Sequence, residues 1–368
     1  MRILLLANLN STHTIKWAKS LSKTHEVLIF GFSSPNPESQ YELAGINFMS
    51  AGIKDDKTKV DYSLQKFYYF YTIPKIRKII KNFKPDLVHA HYATSYGLIG
   101  ALSGFHPYII SVWGSDVYDF PFRSIFHRIL LKHNLSKADI ILSTSNVMAG
   151  QVGKFSSKKI LVTPFGIDLN KFHKNHNEKH HKKNELIIGT IKTLHEIYGI
   201  EYLIRAFKIV TERIPDKNLK LIIVGDGPLR SKLKKLSEEL KINHLTLFAG
   251  KIPQDKVPEY LNIFDIYVAL SLQESFGVAI IEAGACELPT VVSNVQGLTE
   301  VVEDGKTGYA VPPRDYLKAA DAIEKLVLNE NVRNEFGKNA RKKIAEQYNW
   351  EKNVDLMNSI YFSFIDKY

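Results

Sequence analysis

The feature that most limits how this chain can fold is a double series of short apolar, β-branched runs, each followed by a longer stretch with helical spacing and separated by turn residues. Such alternation is the signature of βα units on parallel sheets, whose strands are buried on both faces and so read as continuous apolar runs. In the first series the predicted strands lie near Ile3 to Ala7, Val27 to Phe30, Leu87 to Ala90, Ile109 to Trp113, Ile140 to Thr144 and Ile160 to Thr163. In the second they lie near Leu186 to Thr190, Leu219 to Val224, Leu245 to Phe248, Ile266 to Ala269, Thr290 to Ser293 and Tyr309 to Val311. Between the series, Lys171 to Lys183 has almost no apolar content and reads as a linker. The 368 residues therefore divide into a domain at 1–170, a linker at 171–184, a second domain at 185–349 and a final helical segment at 350–368. In that last segment Trp350, Val354, Met357, Ile360 and Tyr361 share one helix face and need a surface to dock on.

Composition narrows the function classes. With 45% hydrophobic and 24% charged residues the chain is globular rather than disordered. Its one cysteine, Cys286, excludes an internal disulfide or a Cys-ligated zinc site and favours a reducing compartment, with the cytoplasm as the expected location. The apolar run at Ile3 to Ala7 is too short for a signal-peptide core. Asp86 to Asp116 encloses no Asp, Glu, Lys or Arg, yet its histidines, glycines and Pro107 parse it as strand, loop, short helix, loop and strand rather than as a membrane span. His173, His176, His180 and His181 fall in the polar linker, which offers a metal neither fixed geometry nor supporting groups.

Charge is unevenly placed: residues 1–165 carry 20 Lys+Arg against 10 Asp+Glu, and residues 166–368 carry 29 against 28. The excess predicts a polyanion near the N-terminal half, whether nucleic acid, an anionic membrane face or a phosphorylated substrate. Two stretches interleave cations with aromatic and aliphatic side chains, one from Tyr62 to Phe83 and one from Phe120 to Leu135. Each suits an anionic membrane surface, and each equally suits a helix with one face in its own core and a basic face in water.

The segment richest in chemistry is Ser271 to Cys286, which leaves a strand, turns through Ser275-Phe276-Gly277 and enters an apolar helix. Glu274 and Glu282 bracket the turn. Eight residues at ~1.5 Å rise put them on the order of 10 Å apart, at or beyond the ~5–9.5 Å of paired glycosidase carboxylates. One elongated ligand suits them better, with Glu282 accepting from a ribose, Glu274 at the far end, and a diphosphate between them on the free N–H groups of the helix start. Taken alone, the pair reads first as a capping carboxylate at Glu274 and a solvated helix face at Glu282.

Gln273-Glu-Ser-Phe-Gly-Val-Ala-Ile-Ile-Glu-Ala283 resembles the Glu, seven residues, Glu motif of retaining glycosyltransferases of the GT-B fold, in particular the group 1 family, family 4. Val224-Gly-Asp-Gly-Pro-Leu229, Phe248-Ala-Gly-Lys-Ile-Pro253, Asn294 to Gly308 and Thr163 to Phe172 are similar to further segments of that family. The resemblance implies an α/β fold of two Rossmann-like parallel-sheet domains facing across a cleft, with the C-terminal helix returning to the N-terminal, acceptor-binding domain. It implies a donor site of Gly225, Gly250, Ile252, Glu274, Ser275, Phe276, Gly277, Val278 and Glu282, with a basic pair for the diphosphate. The family's two cation positions here hold Thr190 and Tyr198, which leaves Lys192 as the phosphate ligand and catalytic cation, with His195 or a residue of the first domain as compensation. In the first domain the likeness points to Asn10, His13, His91, Trp113 and Asp116 as acceptor or cleft residues, with His91 catalytic beside Glu274 and Lys192.

Without an Asp-x-Asp pair, the expectation is metal-independent catalysis, no cofactor, and a UDP- or GDP-type sugar as co-substrate. The implied function is sugar transfer to a glycan or lipid-linked acceptor for cell-surface polysaccharide or glycolipid, at the inner face of the cell membrane, with peripheral contact through the basic domain and no nucleic acid. Against it stand a GT-B phosphorylase or sugar-nucleotide sensor and a basic nucleic-acid-binding protein, the last supported only by charge and aromatics. A Rossmann dehydrogenase would need Gly-x-Gly-x-x-Gly after a first strand, and Gly225-Asp-Gly-Pro228 stops short.

Overall fold

The structure, a computed structural model, describes residues 1–53, 68–175 and 185–365. The chain divides into two compact units, one of Met1–Pro164 with Lys352–Tyr368 and the other of Phe165–Glu351.

Unit 1 holds a seven-stranded parallel sheet of β1 (Arg2–Leu6), β2 (Glu26–Gly31), β3 (Asn47–Ser50), β4 (Leu87–His91), β5 (Tyr108–Val112), β6 (Ile140–Ser143) and β7 (Ile160–Val162) in the order β3-β2-β1-β4-β5-β6-β7. Its central strands are apolar on both faces, and Ile3, Leu4, Leu5 and Leu6 of β1 are fully buried. At roughly 1.5–3 kcal/mol for each such side chain, this strand sets the register of its neighbours, Ile3 opposite Val27 on one side and Leu87 on the other. The helices used below are α1 (Thr12–Leu21), α2 (Ile73–Phe83) and α3 (Ile125–Lys137). Ser11 and Ser124 cap α1 and α3, each hydroxyl accepting from a backbone N–H three residues on. Strand β3 was absent from the sequence reading, because an exposed four-residue edge strand needs no apolar run.

Unit 2 repeats the plan with β8 (Glu185–Ile191), β9 (Asn218–Val224), β10 (Thr246–Gly250), β11 (Ile266–Ala269), β12 (Thr290–Ser293) and β13 (Gly308–Val311), ordered β10-β9-β8-β11-β12-β13. Helices α4 (Ile200–Arg213), α5 (Arg230–Glu239), α6 (Val278–Ala285) and α7 (Gln296–Val301) belong to it. In both units the strand order reverses beside the first strand, between β1 and β4 and between β8 and β11, and open α/β sheets bind ligands at the carboxyl ends of the strands flanking such a point.

The units meet in sequence at Pro164 and Phe165, six residues before the expected boundary. The described part of the expected linker, Lys171 to Asn175, is tied to unit 2. Phe172 is buried, its carbonyl accepts from Arg341 at 2.6 Å, and Lys174 pairs with Glu287 at 3.3 Å. Residues 176–184, with His176, His180 and His181, lie outside the described residues. The last helix, α8 (Trp350–Ile365), belongs to unit 1 from Lys352 onward. There Met357, Ile360 and Tyr361 are buried, and Asn358 bonds His25 at 3.0 Å. Among the described residues no helix is long and apolar enough to cross a membrane.

Candidate active site

In unit 2 the chain leaves β8 at Ile191 and places Lys192 directly at the strand end. Leaving β11 at Ala269, it runs through Ser271 to Gly277 before starting α6. These are the two strands that flank the switch point, and their loops meet: Lys192 Nζ donates to Glu274 Oε2 at 2.5 Å, the side chains 11% and 16% exposed. The ring of Tyr198 lies 4.8 Å from the same nitrogen. Two glycines make this approach possible. A Cβ on Gly225, whose φ is +131°, would sit 1.9 Å from the carbonyl oxygen of Lys192, and one on Gly297 would sit 2.3 Å from that of Glu274. Gly297 also donates its N–H to the Glu274 carbonyl at 3.1 Å, so α7 holds the loop from behind.

The start of α6 is open. Its N-cap, Gly277, has φ +92° and no side chain to cap the first N–H groups, so they remain for a ligand. Phe276 is buried edge-on against Phe165 and Tyr348, both at 5.7 Å. Its side chain anchors the turn, and only its backbone is left to meet a ligand. Ser275 and Val278 are half-buried at either side. One turn further in, Glu282 is buried and accepts from Gln254 Nε2 at 3.1 Å. Gln254 ends the loop that carries Gly250 and half-buried Ile252, so Glu282 and this loop form one group. Gly225 donates to the Gly250 carbonyl at 2.8 Å.

In the sequence Gln254 and Arg230 carry no role, Tyr198 stands only as the residue at a cation position, and Gly297 only as part of a family-like segment. Arg230 bonds Asp226 at 3.1 Å, and one guanidinium nitrogen lies 3.3 Å from where a Cβ on Gly250 would be. The four-residue spacing from Asp226 at the head of a helix was its only signal. His195 is exposed on the short turn before Tyr198.

In unit 1 the corresponding strand ends bring His13, His91 and Trp113 together. Ring centroids are 4.8 Å apart for His91 and Trp113 and 5.9 Å for His13 and Trp113. His91 is buried beside His89, whose ring nitrogens bond the Tyr361 hydroxyl at 2.6 Å and the Ser111 hydroxyl at 2.8 Å. Burial, and then the neighbouring His13, lower the His91 pKa to about 3; burial, and then Lys16, lower that of His13 to about 4. Both rings are neutral at pH 7.

Two residues expected in this cleft are occupied otherwise. Asp116 is fully buried, and its carboxylate accepts from the N–H groups of Ala93 at 2.9 Å, Gly114 at 2.8 Å and Trp113 at 3.2 Å. Burial raises its pKa against the pull of these three donors. It ties the loop after β4 to the loop after β5 and has no face for an acceptor. Asn10 accepts from the Asn36 N–H at 2.8 Å and donates to the Ser34 carbonyl at 3.2 Å, so it ties loops as well. Tyr92, with φ +91°, was not anticipated; its hydroxyl bonds Ser115. Among the described residues no three His, Cys, Asp or Glu side chains gather as a metal site would require.

Comparison with known proteins agrees with this geometry. The protein-family profile described as glycosyl transferases group 1 matches residues 171–343, and that described as glycosyl transferase 4-like matches residues 2–145. The chain is 28% identical over 308 residues to N-acetyl-alpha-D-glucosaminyl L-malate synthase of Bacillus anthracis, covering 78% of this chain and 77% of that protein. It is 29% identical over 245 residues to the capsular polysaccharide biosynthesis glycosyltransferase CapM of Staphylococcus aureus, covering 66% and 60%. Its fold is similar to that of sucrose-phosphate synthase from Thermosynechococcus elongatus, with TM-score 0.81, 20% identity and full coverage of both chains. It is also similar to that of Anabaena HepE in complex with UDP and glucose, with TM-score 0.81, 18% identity and coverage of 99% and 100%. With both profiles matched, one on each unit, and the same two-sheet architecture, the chain belongs to the group 1 glycosyltransferases of the GT-B fold, glycosyltransferase family 4.

Proposed function

We propose that this glycosyltransferase moves a sugar, with retention of configuration, from a nucleoside diphosphate sugar of the UDP or GDP type to a glycan or lipid-linked acceptor of cell-surface polysaccharide or glycolipid, working in the cytoplasm at the inner membrane face. The observation that carries the reading is the Lys192–Glu274 pair at the switch point of unit 2, standing at the uncapped start of α6. In this reading the diphosphate lies on the N–H groups of Ser275 to Val278, and the Lys192 ammonium meets the negative charge that grows as the bond to the sugar breaks. Glu274 gives up part of its ion pair to the donor sugar. Glu282, steadied by Gln254, accepts from the ribose, while the backbone around Gly250 and Ile252 faces the base. The acceptor hydroxyl attacks the face the diphosphate leaves, and within unit 1 we assign His91, His13 and Trp113 to the acceptor, with Asp116 and Asn10 holding the loops that carry them. No metal is assigned to the diphosphate, because the sequence has no Asp-x-Asp pair and a cation with helix N–H groups supplies the charge it needs.

Two solved structures of similar fold support the donor class, HepE in complex with UDP and glucose and S. aureus TarM in complex with UDP. CapM, named for capsular polysaccharide biosynthesis, supports the acceptor class. The test is turnover of α-linked UDP- and GDP-sugars with and without EDTA, with the product's anomeric proton followed by NMR. An α-product formed at an unchanged rate in EDTA is the expected result. A β-product would overturn retention, and activity lost in EDTA and restored by a divalent cation would overturn the metal-free diphosphate site.

A further inference from the structure

Helix α3 has two apolar faces. At about 100° per residue, Leu131, Asn134 and Leu135 fall on one side and Ile125, Phe126 and Ile129 on the opposite one. The first set is buried: Leu131 and Leu135 join the core of unit 1, and Asn134 donates to the carbonyls of Ala93 and Thr94 at 2.9 and 3.0 Å. The second set faces water, with Ile125 62%, Phe126 78% and Ile129 57% exposed, and Phe122 in the turn before the helix 66% exposed. Single exposed apolar side chains are ordinary, but four at spacing i, i+3, i+4, i+7 form a continuous stripe.

Charge frames the stripe. By helix spacing Lys132 falls on one margin and Lys137 on the other, while Arg128 lies next to the buried face with its guanidinium over the Phe155 ring at 5.8 Å, and Arg123 precedes the helix. All four are exposed, and no Asp or Glu occurs from Phe120 to Lys137. The stripe also follows the loop from the end of β5, Trp113 to Asp119, at the carboxyl ends of the unit 1 strands. The other basic and aromatic stretch differs. Its residues 62–67 lie outside the described residues, Phe70 and Tyr71 before α2 are 47% and 79% exposed, and in α2 itself Ile76 and Ile79 are buried in the core, so within that helix the apolar spacing serves the fold.

We propose that the outward face of α3, with Phe122, docks on an anionic lipid bilayer. An apolar stripe with cations on both margins and no acid matches a surface whose interior is apolar and whose headgroups are negative along the whole length of the helix. The +10 excess of the first 165 residues attracts the unit to that surface before the stripe inserts. This assigns a place on the chain to the membrane contact of the proposed function. Docking is measured without donor or acceptor, so its failure would leave the donor chemistry standing.

The experiment is co-flotation of the full chain with phosphatidylcholine vesicles, with and without phosphatidylglycerol. Wild type is expected to float only with phosphatidylglycerol and to be released by salt. Arg128→Gln/Lys132→Gln should weaken partitioning roughly twenty-fivefold, about fivefold for each cation, and Phe126→Ser/Ile129→Ser should abolish it. These side chains are exposed, so urea midpoints should match wild type. Should the serine variant fail to fold, Phe126→Trp takes its place, with a blue shift expected on phosphatidylglycerol vesicles only. Wild type left unbound at low salt, variants that float like wild type, or a wild-type dimer that Phe126→Ser converts to monomer would each overturn the proposal.

Discussion

Replacing Lys192 with methionine removes one charge while keeping much of the side-chain volume, and it perturbs two properties that can be measured apart. In the ligand-free protein Glu274 loses a partner 2.5 Å away in a pair whose side chains are 11% and 16% exposed. An exposed pair is worth ~0–1 kcal/mol, and stripping one partner from a fully buried pair costs ~3–5 kcal/mol. At this exposure the loss should be about 2 kcal/mol, read as a lower urea midpoint at unchanged slope. Lys192→Met/Glu274→Gln leaves no uncompensated charge and should recover most of that stability. Turnover behaves differently, because a cation aimed at the departing diphosphate contributes about 10²–10³ in kcat. The single variant should lose this factor and the double variant should not regain it. Recovery of turnover together with stability would make the pair structural and refute the reasoning, as would a single variant whose kcat stays within about threefold of wild type.

Other consequences follow from the same contacts. Tyr198→Phe keeps the ring beneath Lys192 and should leave the donor KM unchanged, whereas Tyr198→Leu forfeits about 0.5–1 kcal/mol of cation–π contact and should raise KM about twofold to fivefold. Gly297→Ala forces a Cβ to 2.3 Å from the Glu274 carbonyl oxygen and should shift that loop, lowering kcat and thermal stability together, while Gly305→Ala, with nothing within 4 Å, should leave kcat unchanged. Stability should also depend on pH. His89 and His91 are buried with lowered pKa values, that of His91 about 3, so below the unfolded value of ~6.5 the unfolded chain binds more protons than the native one. Their contribution is complete above pH ~6.5 and is lost as pH falls below it, on the order of 1 kcal/mol for each between pH 7.5 and 5.5. Urea titrations at those two pH values check it, and because His13, with its pKa lowered to about 4, adds a third share, His91→Phe should remove roughly a third of the histidine-dependent loss.

The sheets were legible because parallel strands buried on both faces leave apolar runs that periodicity detects, and β3 was missed because an exposed edge leaves none. Glu274, Glu282 and Lys192 were legible from local motifs at strand and helix ends. What pairs with them was not: Gln254 reaches Glu282 across 28 residues, Lys192 reaches Glu274 across 82, and Tyr361 reaches His89 across 272. Such partners are set by the fold, and a single sequence holds no signal for them. Asn10 and Asp116 have partners that were equally hidden in the sequence. They stand at strand ends where ligands bind, but their polar atoms satisfy backbone groups of the neighbouring loops. The aromatic and basic stretches read alike in sequence, and only burial separates α2, which spends its apolar face on the core, from α3, which keeps a second one outside.

The central claim is that unit 2 holds a nucleoside diphosphate between Lys192 and Glu282. The most direct measurement is thermal unfolding of wild type, Lys192→Met and Glu282→Ala with UDP, GDP and ADP in turn. One nucleotide should stabilise wild type, by about 2.7 kcal/mol at a hundredfold excess over its Kd, and should stabilise both variants far less. A panel in which no nucleotide shifts wild type, or in which the shift is the same in all three proteins, would contradict it.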